Sequence, residues 1–329
     1  MRRSTALLAA GVVLACAPPG CGGSGPSSAP AGVDAATLSR GEYLVRYVAA
    51  CGECHTPRDE DGNLDQSHWL AGVADRFDLT PDDDTTGSVS TANLTPANLA
   101  GHPDDAILAA FLDGVGLDGS PLFPLMPYYA YHNMTAADAK AVVAYLRTVP
   151  SIASDIPPRQ PLPVPLTSPA PPIAEGAIPH TTLASSDPHY ASAERGRYLA
   201  GEIGFCLDCH TPWRLGITPP LDLSRVFTGG RPFSAKDWGI PSPSPAVVYS
   251  TNVTPDPTGI AGWTAQRIVE VLADGASAHG GSVCRPMPAG PFGSFGGMLP
   301  DDASDIGVYL TTLAPVAGED APACEAGGL

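Results

Sequence analysis

One order of short motifs occurs twice in the chain. Arg40 to Leu44 recurs as Arg195 to Leu199, and Cys51 to His55 recurs as Cys206 to His210, in both cases 155 residues later. Four more pairs follow in the same order: Asn93-Leu94-Thr95-Pro96 with Asn252-Val253-Thr254-Pro255, Asp113-Gly114 with Asp274-Gly275, Met126-Pro127 with Met287-Pro288, and Tyr145-Leu146 with Tyr309-Leu310. Because the offset grows only through short insertions, the sequence predicts a duplicated domain.

Cys-x-x-Cys-His, which each repeat contains, is the motif for covalent attachment of c-type haem. Two thiols add across the vinyl groups, and the adjacent histidine turns onto the iron. A zinc site would need four tetrahedrally spaced ligands, a redoxin would need a βαβ context, and a plain disulfide would not include the histidine. The sequence therefore predicts two covalent haem c groups, with thioethers at Cys51, Cys54, Cys206 and Cys209 and iron ligands at His55 and His210.

The second axial ligand should recur in both repeats, downstream of a helix that ends at glycine. Met126 and Met287 meet this condition, and a thioether is a soft neutral donor that favours ferrous iron. Met134 and Met298 are the rival pair. They directly precede the last helix of each repeat, where an apolar residue acts as a hydrophobic staple. We therefore predict Met126 and Met287 as ligands and the rival pair as packing residues.

Asn93 and Asn252 are each followed by one apolar residue and then by Thr-Pro. We expect them to form a tight turn at the haem edge, with a hydrogen bond to a propionate as a second role.

The periodicity within each repeat predicts an all-α fold. Ala139, Val142, Val143 and Leu146 follow helical spacing, with Thr135 as the N-cap. A second helix should start after Pro103 and end at Gly114. No alternating strand longer than four residues is evident, although short pairs around 247–249 fit the pattern.

Ten of the 30 residues in 150–179 are proline, which predicts an extended, semi-rigid connector. The expected organisation is a signal peptide at 1–16, a flexible tether at 17–36, a first domain at 37–149, a proline-rich linker at 150–185 and a second domain at 186–329.

The N-terminus has the features of an export signal. Arg2 and Arg3 precede a short apolar run, and Val13 to Cys16 resembles a bacterial lipobox. Four of the eight cysteines lie in the haem motifs, and Cys284 could form a disulfide with Cys324, which leaves Cys16 and Cys21. Lipidation of Cys16 would leave Cys21 without a disulfide partner. Lipidation of Cys21 would remove Cys16 with the signal peptide, so that every remaining cysteine would have a role. The motif favours Cys16. We expect a periplasmic protein that a lipid anchors to a bacterial membrane.

The net charge of −17 argues against nucleic-acid binding, which needs basic contacts to phosphate. It leaves room for a basic protein partner.

Several stretches resemble the cytochrome c subunits of bacterial periplasmic dehydrogenases, and class I cytochromes c in general. They are Gly41 to Leu44 with Cys51 to His55, Phe227 to Gly230, Tyr249 to Pro255, Leu125 to Tyr128, and Tyr145-Leu146. This resemblance implies two class I cytochrome c domains in tandem, each a small helical bundle around haem. Those subunits usually carry three haem motifs, and this chain carries two.

The expected function is single-electron transfer between periplasmic or membrane-bound redox proteins, such as a dehydrogenase or a terminal oxidase. Both irons would have filled axial positions, so we do not expect an enzyme. A dihaem cytochrome c peroxidase is the main alternative, because it has a similar length and similar spacing of its haem motifs. A haem redox sensor is the third.

Overall fold

The computed structural model describes residues 32–78, 87–158, 166–214, 219–240, 247–277 and 282–319. The predicted signal peptide and nearly all of the predicted tether lie outside these ranges. Cys16, Cys21 and Cys324 lie outside them as well. Within the described ranges, no helix combines the length and the apolar composition that crossing a membrane requires.

Helices dominate both repeats, as predicted. In the first they are α1 (Ala35–Tyr43), α2 (Gly52–His55), α3 (Pro96–Leu99), α4 (Asp104–Asp113), α5 (Tyr128–Tyr131) and α6 (Ala136–Leu146). In the second they are α7 (Tyr190–Arg197), α8 (Cys206–His210), α9 (Ala265–Asp274) and α10 (Pro300–Thr311). The predicted ends are confirmed: the Thr135 side chain caps α6, and Gly114 ends α4 with a left-handed φ of 69°.

The first helix of each repeat crosses the last helix at very short distance. A Cβ atom at Gly41 would lie 1.9 Å from the Ala141 carbonyl oxygen, and one at Gly196 would lie 2.0 Å from that of Asp305. Both contacts are far shorter than atoms tolerate, so only glycine fits. This explains why the Arg-Gly-x-Tyr-Leu motif occurs in both repeats.

The all-α expectation needs one correction, because each repeat also contains a small antiparallel sheet. Strands β1 (Val73–Asp78) and β2 (Ser88–Thr91) pair in the first repeat, and β3 (Pro232–Ser234) and β4 (Val247–Tyr249) in the second. Strand β1 exceeds the four-residue limit expected from the sequence. Its register shifts between Val73 and Phe77, and Asp75 has a φ of 48°, so its side chains do not alternate between two faces.

The two repeats meet across a pseudo-symmetric interface. The Tyr43 hydroxyl of the first repeat donates to Asp302 of the second at 2.8 Å, and the Tyr198 hydroxyl of the second donates to Asp138 of the first at 2.8 Å. Buried apolar side chains of both repeats belong to one hydrophobic cluster. The domain limits at 37–149 and 186–329 therefore stay predictions, since the halves share a core.

The described part of the proline-rich segment contains one 3₁₀ turn, at Glu175–Ala177, and neither an α-helix nor a strand. Parts of it are buried rather than free. Ile173 is fully covered and its amide donates to the Tyr129 carbonyl, while Ile178 accepts a hydrogen bond from Arg197. The segment thus packs against both repeats, which a simple spacer would not do.

Candidate haem-binding sites

The histidine of each Cys-x-x-Cys-His motif is buried and held in one tautomer. The Nδ1 atoms of His55 and His210 lie 2.7 Å from the carbonyl oxygens of Ala92 and Thr251, respectively. A carbonyl oxygen can only accept, so Nδ1 carries the proton and Nε2 keeps its lone pair. Burial lowers the pKa of both rings, and the Arg76 charge lowers that of His55 further. Both rings are therefore neutral donors suited to iron.

The loop after each motif folds back onto the histidine in the same way. The Gly72 amide donates to the His55 carbonyl at 2.8 Å, and the Gly229 amide donates to the His210 carbonyl at 2.7 Å. The threonine that follows each histidine is also equivalent, since Thr56 Oγ1 accepts from the Leu70 amide and Thr211 Oγ1 from the Phe227 amide. These bonds fix the backbone on both sides of each ring.

The four motif cysteines are free thiols. Burial raises the pKa of Cys51 to about 12 and that of Cys54 to about 11, so neither resembles the activated thiol of a redoxin. Among the described residues, no group of three or more His, Cys, Asp or Glu side chains is arranged to hold a metal ion. Two free thiols beside a neutral histidine form the donor set that covalent haem requires.

The remaining cysteine of the described ranges is Cys284, which is disulfide-bonded. Its predicted partner, Cys324, lies outside those ranges.

Met126 and Met287 occupy equivalent turns. The Met126 amide donates to Phe123 and the Met287 amide donates to Cys284, both at 3.1 Å, and each side chain is partly buried against the core. The rivals Met134 and Met298 are buried, and each directly precedes an N-cap, that of α6 or of α10. This is the position expected of a staple residue. The role of Met126 and Met287 as iron ligands stays a prediction.

The two asparagines form the predicted turns. Oδ1 of Asn93 accepts from the Thr95 amide, and Oδ1 of Asn252 accepts from the Thr254 amide, both at 2.8 Å. Their side-chain amides also bind the segment that follows the last helix of each repeat. Asn93 donates to the Ile152 carbonyl, and Asn252 donates to the Val316 carbonyl. Both amide groups thus already have acceptors in the protein, and a bond to a propionate stays a prediction.

Sequence reasoning missed an acidic residue inside each motif and a buried arginine downstream. They are Glu53 with Arg76 in the first repeat and Asp208 with Arg231 in the second. Each pair of equivalents is separated by the same 155 residues as the motifs, and this offset could have identified them.

These acidic residues also contact the opposite repeat. Asp208 accepts from the hydroxyl of Tyr129, three residues after Met126. Glu53 accepts from the hydroxyl of Ser294 at 2.6 Å, seven residues after Met287. Each attachment motif is therefore covered by the segment that follows the candidate methionine of the other repeat.

The chain is similar to several known proteins. No family model matches the chain. The chain is 29% identical over 295 residues to the fructose dehydrogenase cytochrome subunit of Gluconobacter japonicus, which covers 86% of this chain and 54% of the relative. It is 32% identical over 189 residues to the gluconate 2-dehydrogenase cytochrome c subunit of Pantoea cypripedii, covering 54% of this chain and 38% of the relative.

A third relative, a diheme cytochrome c-type protein of Cereibacter sphaeroides, is 34% identical over 131 residues, which are 39% of this chain and 40% of the relative. The chain spans about half the length of the dehydrogenase subunit from Gluconobacter japonicus that it matches. Together with its two attachment motifs, these similarities make the chain a homologue of the cytochrome c subunits of bacterial dehydrogenases.

Proposed function

We propose that this protein is a dihaem c-type cytochrome that transfers single electrons in the periplasm and accepts them from a dehydrogenase. Its two repeats would be tandem class I cytochrome c domains, each with one covalent haem c. The relatives support the dehydrogenase partner, because they are cytochrome subunits of such enzymes. A terminal oxidase or another redox protein would be the acceptor.

The observation that carries this proposal is the equivalence of the two candidate sites. Each has a buried neutral histidine with its Nδ1 proton donated to a carbonyl, and each has a methionine in the same kind of turn downstream. A dihaem peroxidase needs two different irons, because one of them must have an open axial position that binds peroxide. Two equivalent sites therefore favour electron transfer over peroxidase activity.

When bound, haem c supplies a one-electron couple between ferric and ferrous iron. In each repeat the paired cysteines would hold the macrocycle, and His55 or His210 would ligate the iron through Nε2. Met126 or Met287 would supply the opposite ligand through sulfur. Filling both axial positions keeps water and substrates off the metal, so these residues direct the iron towards electron transfer.

Visible and electron-paramagnetic-resonance spectra of the oxidised and half-reduced protein test this function. We expect both haems to be low-spin in both states, since no axial position is open. A high-spin haem, or a switch to high spin after the first electron, would support the peroxidase alternative. Turnover of hydrogen peroxide with a reduced cytochrome as donor would support it too.

The location forms part of the same proposal, with Cys16 as the lipidated residue. Cys16→Ala should release the protein from the membrane fraction or block its processing, because the acyl chains could not be attached. Cell fractionation and the mass of the mature N-terminus measure this. Membrane association lost in Cys21→Ala but kept in Cys16→Ala would identify Cys21 as the anchor.

A further inference from the structure

The charge of Arg231, the buried arginine of the second repeat, is compensated by a neighbouring carboxylate. Arg231 forms an ion pair with the Asp208 carboxylate and donates to the Asp208 carbonyl at 2.8 Å. Both side chains are more than nine-tenths buried. One cation and one anion thus lie beside the attachment motif, and their charges cancel.

The equivalent Arg76 lies in different surroundings. Its side chain is also buried, and Nη2 donates to the backbone carbonyls of Glu53 at 3.2 Å and Trp238 at 3.3 Å, while Nε has no acceptor. In the described part of the chain, no carboxylate lies within ion-pair distance of Arg76. Glu53, one of the two carboxylates that interact electrostatically with Arg76, is paired with Arg58 at 2.6 Å, and the other is that of Asp237.

The second repeat has no counterpart to Arg58, because Trp213 stands at the equivalent position, three residues after the histidine. A third guanidinium, that of Arg285, binds the loop at 61–63 and donates to the Gly62 carbonyl at 2.7 Å. Three guanidinium groups therefore lie near the first motif, and the Glu53 carboxylate forms an ion pair with only one of them. The carboxylates of Asp59 and Asp237 interact with Arg285 and Arg76, respectively, without forming an ion pair. The second motif has a directly paired arginine and aspartate.

We propose, on the basis of the proposed function, that the buried charge of Arg76 raises the reduction potential of the first haem above that of the second. Electrons inside the chain then move from the second haem to the first. Ferric haem carries one more positive charge than ferrous haem, so a nearby buried cation disfavours the ferric state. One electron leaves the second iron, which is oxidised, and reduces the first; no atom is transferred.

Arg76 lies beside the predicted attachment segment, because it donates to the carbonyl of Glu53, which lies between Cys51 and Cys54 in the sequence. Its charge would therefore act on a haem held by these two cysteines.

The two attachment motifs approach each other at one aromatic cluster, formed by Phe77, Phe233 and Trp238. The Trp238 ring lies 5.5 Å from that of Phe77 and 5.9 Å from that of Phe233, between centroids. Cys54 and Cys209, the second thioether cysteine of each motif, both pack against this cluster. The Arg76 guanidinium stacks on it as well, 5.7 Å from the Trp238 ring centroid. The Arg76 charge thus lies at the aromatic cluster that both predicted attachment motifs contact.

Potentiometric titration of the haem bands in Arg76→Met tests the proposal. The unmutated holoprotein should show two one-electron waves, and the substitution should lower the higher wave more than the lower one, because Arg76 binds the backbone of the first motif. We expect the equilibrium constant between the haems to fall at least tenfold, a shift of about 59 mV for one electron. In a Met287→Ala background the remaining sulfur-to-iron band reports only the first haem, and its midpoint should fall likewise.

Two further variants give matched comparisons. Arg76→Lys keeps the charge and should restore the separation of the waves. Glu53→Gln removes the anion and should move the higher wave upwards, a test that does not require Arg76 to be removed. Arg231→Met should lower the lower wave and widen the gap, because Asp208 loses its partner.

A single wave in the unmutated protein would overturn the inference, as would an Arg76→Met variant that shifts both waves equally or only the lower one. These results would leave two low-spin haems in place, so the proposed function would stand. Absence of two haems would refute the proposed function itself.

Discussion

Replacing Cys206 and Cys209 together by alanine should reduce the haem content from two groups per chain to one. These thiols are the two predicted attachment points of the second motif, and neither forms a disulfide. Without them the second haem cannot form thioether bonds and should be lost on denaturation. The haem-to-protein ratio, from the pyridine haemochrome spectrum, and haem stain on a denaturing gel measure the change.

The matched variant replaces Cys51 and Cys54 and should also retain one haem, because the two motifs are equivalent in sequence and in local structure. The quadruple variant should retain none. Full haem content in either double variant would contradict the assignment. So would a preparation of the unmutated protein with only one haem per chain.

Replacing Met126 by alanine should remove about half of the near-infrared sulfur-to-iron charge-transfer band, since two similar haems contribute to it. That iron should become high-spin or water-ligated, and its potential should fall because the thioether stabilises ferrous iron. Met287→Ala should have the same effect at the other haem. Absorption spectra of the ferric protein measure the band.

Met134→Ala and Met298→Ala are the controls, because both side chains are buried and directly precede the N-cap of a helix. They should loosen packing and lower the melting temperature while leaving the band intact. Loss of the band in either control would mean that the wrong methionine of each pair was assigned. If the unmutated protein lacks the band, His102 and His132 are the ligands to test in the first repeat.

The local sequence was sufficient to predict features that depend on residues close together in the chain. The spacing of the Cys-x-x-Cys-His motif predicts thioether attachment because all its groups lie within one helical turn. Helix ends were predictable for the same reason, as Thr135 bonds to an amide three residues away and Gly114 adopts a left-handed φ. Strand β1 was not recognised, because its register shift removes the alternation that identifies a strand.

Contacts between the repeats could not be predicted in this way, because they join residues far apart in the chain. Asp138 could be predicted as a first-turn residue of α6, but not as the acceptor of the Tyr198 hydroxyl. The proline content of the linker indicates an extended chain, but it does not reveal that Ile173 and Ile178 are buried.

The sequence by itself determined the candidate chemistry of this protein: two motifs of the kind that attaches haem, and candidate axial ligands that recur in order. Only the tertiary structure decided how the two sites differ. Arg76 and Arg231 are equivalent in sequence, yet Arg231 pairs with Asp208 whereas Glu53 pairs with Arg58. Whether a buried charge is neutralised depends on which side chains the fold brings into contact, and electrostatic interactions in a poorly polarisable interior make that difference large.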